Sequence, residues 1–110
     1  MQYEVFNQGQ CTILQIKESR FDAKLAPAFR AVIEEKSNEI DSHLVLDLSE
    51  VRFMDSSGLG AVMAAYKLLK GKKISVVKPQ RAVQELLKLT RMDKLIASYE
   101  SVEDAVATVA

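Results

Sequence analysis

The chain has 110 residues, of which 48% are hydrophobic and 27% are charged, and these proportions are typical of a folded globular domain. Fifteen acidic residues balance fifteen basic ones, so the charge indicates neither a nucleic-acid partner nor a membrane surface. The single cysteine, Cys11, excludes an internal disulfide, and no Cys/His cluster indicates a metal site.

The first residues lack the charged and apolar regions of a signal peptide. No apolar run approaches about 18 residues, the length that a membrane-spanning helix needs. We therefore expect a single domain over residues 1–110, located in the cytoplasm, with no metal and no cofactor.

A β-hairpin is the first predicted element, with strands at residues 3–6 and 12–17 around a turn at residues 7–10. The second strand is rich in β-branched and apolar residues, and the turn contains Gly9, as hairpin turns often do. Residues 18–22 follow as a predicted loop.

The first helix is predicted to begin within a residue or two of Pro27, since proline is tolerated only in the first turn. Asp22, just upstream, is expected to cap an irregular first turn. Apolar residues recur on one face of this helix at roughly 3.6-residue spacing, and they are Leu25, Phe29, Val32, Ile33 and Ile40.

A short apolar strand is predicted next, at residues 43–48, in the buried middle of a sheet. The helix after it, which runs to Lys70, is apolar nearly all round, so we expect its start to be largely buried. Gly71 is expected just beyond its end, where a left-handed conformation is common.

The last third of the chain predicts a strand at residues 74–77, a helix opened by Pro79, a strand at residues 95–99 and a terminal helix. Ser101 and Asp104 resemble a capping box at the start of that terminal helix. The core residues expected on these two helices are Val83, Leu86, Leu87, Leu89, Val102, Ala105, Val106 and Val109. Alternating strands and helices favour an α/β fold with a mixed or parallel sheet.

The strand at residues 43–48 is joined to the next helix by Asp55-Ser56-Ser57-Gly58-Leu59-Gly60. Asp and Ser are good N-cap residues because their side-chain oxygens accept from unpaired backbone N–H groups. Each glycine inside a helix costs about 1 kcal/mol relative to alanine. The presence of two glycines, Gly58 and Gly60, in the first turns of this helix therefore indicates tight backbone packing or a partner that comes close. An exposed serine at a helix start is also suited to carry a phosphate.

Catalysis by Ser56 or Ser57 has little support in the residues. Asp-Ser-Ser-Gly-Leu-Gly is not a Gly-x-Ser-x-Gly elbow, and we expect the only imidazole, His43, to be an ordinary residue at the start of its strand, at the opposite end from Ser56. A lone Gly-x-Gly is a weak signal for nucleotide binding. Asp22, Asp47 and Asp55 could approach one another at strand ends, but capping and turn chemistry account for each singly.

The segment Leu46-Asp47-Leu48-Ser49, followed by Val51-Arg52-Phe53-Met54-Asp55-Ser56-Ser57-Gly58-Leu59-Gly60, resembles the hallmark of STAS domains. In particular it is similar to the single-domain bacterial anti-sigma factor antagonists. The likeness extends to the Phe21-Asp22 loop, the Gly71 turn and residues 86–95. It implies a single STAS domain with an α/β fold, in which covering helices pack on a mixed sheet of about four or five strands.

In that family the serine directly after the aspartate is phosphorylated, and the matching residue is Ser56, with Ser57 the weaker candidate. The resemblance implies a non-enzymatic regulator that is a monomer when free. Its partners would be a GHKL-type serine kinase that is itself the anti-sigma factor and a PP2C-type phosphatase, with no nucleic acid and no membrane. The implied partner-binding residues are Asp22, Asp55, Ser56, Ser57, Gly58, Leu59 and Gly60.

Three alternatives stay open at this point. The module could regulate a pathway without a sigma factor, such as biofilm or polysaccharide production. It could be a STAS module that binds a nucleotide such as GTP or ATP. It could also be a small hydrolase that uses Ser57.

Overall fold

The computed structural model describes residues 1–108, so Val109, which we expected in the terminal helix, lies outside the described part. The strands are β1 Tyr3–Gln8, β2 Cys11–Ile16, β3 Arg20–Phe21, β4 His43–Asp47, β5 Phe53–Met54, β6 Lys73–Val77 and β7 Ala97–Tyr99. The helices are α1 Ala26–Lys36, α2 Ser56–Leu68, α3 Arg81–Leu89 and α4 Val102–Ala107, with a 3₁₀ turn at Met92–Lys94.

Five of the strands form one mixed sheet in the order β1-β2-β4-β6-β7. The β1–β2 pair is antiparallel, and β2, β4, β6 and β7 run parallel to one another. The α/β class and the mixed sheet predicted from the sequence are confirmed. The hairpin turn is tighter than predicted, because Gln8 pairs with Cys11 and only two residues, the first being Gly9 with a φ of +61°, join the strands.

The two faces of the sheet are covered unequally. Alternate residues of the strands face α1, α2 and α3 in the larger hydrophobic core, whose centre includes Leu46, Phe29 and Val62. The opposite face forms a smaller cluster in which α4 covers Ile13 and Val45. No helix within residues 1–108 is both long enough and apolar enough to cross a lipid bilayer.

The local signals for helix starts are confirmed at α1 and α4, whereas α3 begins at Arg81 with Gln80 as its N-cap, so Pro79 precedes that helix instead of opening it. Pro27 lies in the first turn of α1, and the Ser101 hydroxyl at the start of α4 accepts from the backbone N–H of Asp104 at 3.0 Å. Gly71 adopts a φ of +87° in the turn that follows α2. Ile40 is buried although α1 has ended at Lys36, so it packs from the connecting loop and not from the helix.

Three predictions about the elements are wrong in detail. Residues 18–22 are not simply a loop, because β3 pairs in parallel with β5 to form a second, two-stranded sheet. Leu89 is 83% exposed, because α3 turns Val83 and Leu87 toward the core and Leu89 away from it. The last strand begins at Ala97, and Leu95 before it is 49% exposed.

His43 is more than an ordinary residue at a strand start. Its ring is fully buried, with Nδ1 at 3.3 Å from the Cys11 sulfur and Nε2 hydrogen-bonded to the Ser75 hydroxyl. Burial, together with the positive charge of Lys73, lowers the pKa of His43 to about 4. The imidazole is therefore neutral at physiological pH and serves as a hydrogen-bonding core residue.

This burial makes the stability of the fold depend on pH. The unfolded chain binds a proton on His43 with an ordinary pKa of about 6.5, whereas the folded chain does so only near pH 4. The contribution of neutral His43 to the free energy of unfolding is complete above about pH 6.5 and is lost as the pH falls toward 4. From these two values we expect the free energy of unfolding, measured by urea denaturation, to fall by about 2 kcal/mol between pH 7.5 and pH 5.

His43→Gln is the matched control, since it removes the titrating group and leaves a side chain that can still form hydrogen bonds. Its stability is expected to be lower at pH 7.5 but nearly constant down to pH 5. If the free energy of unfolding fell equally with pH in the parent protein and in His43→Gln, the lowered pKa of His43 would be contradicted.

Candidate functional site

The start of α2 is closed by a side-chain cap. Asp55 has an extended backbone, and its Oδ1 accepts from the backbone N–H groups of Ser57 at 2.9 Å and Gly58 at 3.1 Å. This carboxylate satisfies two of the amides that a helix start leaves without partners. Ser56 is the first helical residue and is exposed, whereas Ser57 is half-buried. The Ser56 hydroxyl takes no part in the cap.

The two-stranded sheet fixes a second loop beside this helix start. The Phe21 carbonyl accepts from the Asp55 N–H at 3.4 Å, and the Ser19 carbonyl accepts from the Arg52 N–H at 2.8 Å. The β3–β5 pairing therefore holds the segment that carries Asp22 next to the segment that carries the cap. These two segments are more than thirty residues apart in the sequence.

The two glycines of α2 have different environments. Gly58 is buried, and a Cβ placed there would lie 2.2 Å from the Phe21 backbone oxygen. A Cβ at Gly60 would meet nothing closer than Nη2 of Arg30, at 3.9 Å. The tight backbone packing suggested by the sequence is confirmed for Gly58, while Gly60 faces open space.

Asp22 shapes the entry to α1. Its carboxylate accepts from the Lys24 N–H at 3.1 Å and from Nε of Arg20 at 3.4 Å, and its backbone carbonyl accepts from the Leu25 and Ala26 N–H groups. Desolvation opposes the charged form, but the hydrogen bonds from Lys24 and Arg20 lower the pKa of Asp22 below its usual value. Asp22 thus caps the irregular turn before α1, as predicted.

An open groove of about 380 Å³ lies between the first turns of α1 and α2. Its lining residues are Ala23, Ala26, Pro27, Arg30, Ser56, Ser57 and Gly60. Of the residues predicted for the site, Ser56, Ser57 and Gly60 therefore meet in one groove. Asp55 caps the start of α2, and Gly58 packs against the Phe21 carbonyl. Neither of them lines the groove, and neither do Asp22 and Leu59.

The sequence did not assign four of the groove residues to the site, and these are Ala23, Ala26, Pro27 and Arg30. Pro27 had a clear structural signal as a helix-start residue, and its place on the α1 wall adds a rigid surface facing Ser56. Arg30 carried no signal, because one exposed arginine on an amphipathic helix is ordinary. Only the packing of α1 beside α2 places it near Ser56.

The charges around the groove are unevenly paired. Arg20 is engaged by Asp22 and lies over the Phe53 ring, 4.5 Å from its centroid. Arg30 is exposed and forms no salt bridge with any residue from 1 to 108. The groove thus contains a cation that is available to an incoming anionic group.

The three aspartates do not gather into one site. Asp47 accepts from the Ser49 N–H at 2.9 Å, Asp22 bonds the turn that precedes α1, and Asp55 caps α2, so the interpretation as caps and turns is confirmed for each. No cluster of three metal-ligating side chains occurs in the described part of the chain. His43 bonds Cys11 and Ser75, so its imidazole is not placed as a base for Ser57.

Comparison with known proteins identifies a family and relatives of this chain by sequence. A family model described as the STAS domain matches residues 2–105. The anti-sigma F factor antagonist of Paenibacillus polymyxa is 38% identical over 61 residues, which cover 54% of this chain and 52% of that protein. The match thus spans about half the length of this curated relative.

Solved structures match over nearly the whole chain. An anti-sigma factor antagonist from Mycobacterium paratuberculosis is 28% identical, with a TM-score of 0.87 and coverage of 98% of this chain and 92% of that chain. Phosphorylated SpoIIAA from Bacillus is 15% identical, with a TM-score of 0.74 and coverage of 99% and 100%. Its unphosphorylated form, also 15% identical with a TM-score of 0.74, covers 98% and 97%. At 15% identity the likeness to SpoIIAA concerns the fold alone.

The contrast between the glycines can be tested by a pair of substitutions. Gly58→Ala forces a methyl group against the Phe21 carbonyl, which cannot rotate away as a side chain would, and overpacking of this kind costs about 1–3 kcal/mol. Gly60→Ala adds helix propensity without a clash, so it is expected to stabilise the protein by about 0.5–1 kcal/mol. Urea denaturation followed by circular dichroism measures both. Equal effects of the two substitutions would refute the distinction.

Proposed function

The chain belongs to the STAS domain family, as its central sequence indicated, and we propose that it acts as a phosphorylation-switched anti-sigma factor antagonist. In this proposal the unphosphorylated protein binds a serine kinase that is also the anti-sigma factor, and this binding frees a sigma factor. Phosphorylation of Ser56 ends that binding. The observation that carries the proposal is the exposed Ser56 hydroxyl, which stands on a capped helix start at the edge of a groove.

Ser56 suits the role of acceptor better than Ser57 does. Ser57 is half-buried, and its N–H is held by the Asp55 carboxylate. Ser56 is exposed and its hydroxyl is not needed to start the helix. A kinase active site can therefore reach the Ser56 oxygen without opening the fold.

The added group changes the surface strongly. A phosphoserine carries about −1.5 to −2 charges at pH 7 and three acceptor oxygens, and the start of a helix partly favours that charge. A partner fitted to a bare hydroxyl would meet a bulky, solvated dianion. A tenfold loss of affinity requires only about 1.4 kcal/mol, so a local mismatch is enough to release the partner.

The supporting structure favours a switch without refolding. The Asp55 cap and the β3–β5 clamp are built from backbone groups and from a carboxylate that the reaction leaves unchanged. The phosphorylated and the unphosphorylated structures of SpoIIAA both have this fold, each with a TM-score of 0.74 to this chain. This agrees with a phosphate that changes the surface and leaves the fold intact.

Two partners follow from this cycle. A GHKL-type kinase would bind near Ser56, with Asp22 and Asp55 contributing acidic groups beside the groove. A PP2C-type phosphatase would hydrolyse the phosphoserine and return the protein to its binding-competent form. Gly60 would allow close approach of either partner, since no side chain rises from that part of α2.

Three single substitutions test the assignment to Ser56. The kinase is the GHKL-type protein encoded nearest to this chain's gene, supplied with ATP. We expect Ser56→Ala to bind it normally but to take up no phosphate, and Ser56→Asp to bind at least about tenfold more weakly. Ser57→Ala is the matched control and should still be phosphorylated. Calorimetry measures binding, and intact-protein mass spectrometry measures phosphate.

Phosphate uptake by Ser56→Ala at the parent rate would refute the assignment. So would full-affinity binding of Ser56→Asp together with unchanged binding of the phosphorylated parent protein.

A further inference from the structure

Arg30 is the cation of the groove that is free to pair with an added group, and we propose that it binds the phosphate of phosphorylated Ser56. This inference rests on the proposed function, because it assumes that Ser56 is the acceptor. It assigns a role to a residue of α1 in a modification that takes place on α2. Arg30 would then be a positioning residue that determines where the phosphate points.

The geometry brings the two groups within reach. Ser56 and Gly60 are four residues apart on one face of α2, where side-chain positions lie about 5–6 Å from each other. Nη2 of Arg30 lies 3.9 Å from the Cβ position of Gly60. Arg30 therefore already sits over the turn that Ser56 begins, and both side chains line the same groove.

Gly60 leaves space next to the guanidinium of Arg30. A side chain at this position would occupy that space, because its Cβ would lie 3.9 Å from Nη2 of Arg30. No steric contact in the described structure requires glycine here, since the atom nearest to a Cβ added at this position is the flexible end of the arginine. Arg30 is exposed, so its long side chain has room to adjust within the groove that it shares with Ser56.

The charges favour this pairing. The phosphate would enter beside the Asp55 carboxylate, which repels it, so a counter-charge is needed. Arg20 is already engaged by Asp22 and Phe53, whereas Arg30 has no salt-bridge partner within residues 1–108. A guanidinium can donate two parallel hydrogen bonds to phosphate oxygens, which an ammonium group cannot match.

The pairing would also alter a second part of the surface. Arg30 lines a neighbouring groove of about 200 Å³ farther along α1 and α2, together with Glu34, Ala64 and Leu68. If Arg30 turns to the phosphate, it leaves the boundary between the two grooves. Phosphorylation would then reshape a stretch of the α1–α2 seam beyond the modified serine.

The test installs phosphoserine at position 56 during translation, so no kinase is required. The second ionisation of the phosphate is followed by ³¹P NMR titration in the parent protein, Arg30→Ala, Arg30→Lys and Lys24→Ala. Loss of a nearby cation raises this pKa, and for an exposed pair we expect a rise of about 0.3–0.7 unit in Arg30→Ala. The phosphate pKa in Arg30→Lys should lie between the values for the parent protein and for Arg30→Ala. Lys24 is exposed and outside the groove lining, so the phosphate pKa in Lys24→Ala should equal that of the parent protein.

A second measurement reports on Arg30 directly. Its Nε–H signal in a ¹⁵N spectrum should shift when the phosphate is present and move part of the way back when the dianion is protonated to the monoanion. Circular dichroism checks that the variants are folded, which is expected because Arg30 is exposed.

An unchanged phosphate pKa in Arg30→Ala, or an equal rise in Lys24→Ala, would overturn the proposal. Because the phosphate is installed directly, either result leaves the proposed function standing. Conversely, kinase labelling of Ser56→Ala would remove the proposed function without altering this measurement.

Discussion

The Phe21 carbonyl, packed directly over Gly58, is the contact on which the site depends. A Cβ at Gly58 would lie 2.2 Å from this oxygen, so only glycine lets the two backbones approach this closely. The same carbonyl accepts from the Asp55 N–H. One backbone oxygen thus fixes both the start of α2 and the loop that leads into α1. The groove between these two helices exists because that distance is short.

Both glycines of α2 lower the stability of the helix, but they differ in the contacts that they permit. Each costs about 1 kcal/mol in helix propensity, and the Asp55 cap offsets about that amount for one of them. At Gly58, close packing against the Phe21 backbone offsets the cost in helix propensity. For Gly60 the described contacts show no such packing, since the atom nearest to an added Cβ is Nη2 of Arg30 at 3.9 Å.

Sequence reasoning located the helices and the long strands because their signals are local. Periodic apolar residues, Pro27 and the Ser101 cap each act within a few residues, and they match the structure except at Leu89 and Ile40. The β3–β5 sheet was missed because strands of two residues have no periodicity to detect. His43 and Arg30 were missed because their roles arise from residues far away in the chain. Ser75 and Cys11 make His43 a core residue, and α2 makes Arg30 a groove residue.

Because Asp55 supplies the cap, the Ser56 hydroxyl is not needed to start α2. A helix start needs an acceptor for its first amides, and a serine that supplied it could not be modified without weakening the helix. Here the carboxylate of Asp55 is that acceptor, and the exposed hydroxyl comes one residue later. The His43 cluster lies at the opposite end of β4, with its own titration confined to acidic pH. In the proposed switch, a charge added at Ser56 would act on what can dock against the groove, while the cap, the clamp and the core would keep their contacts.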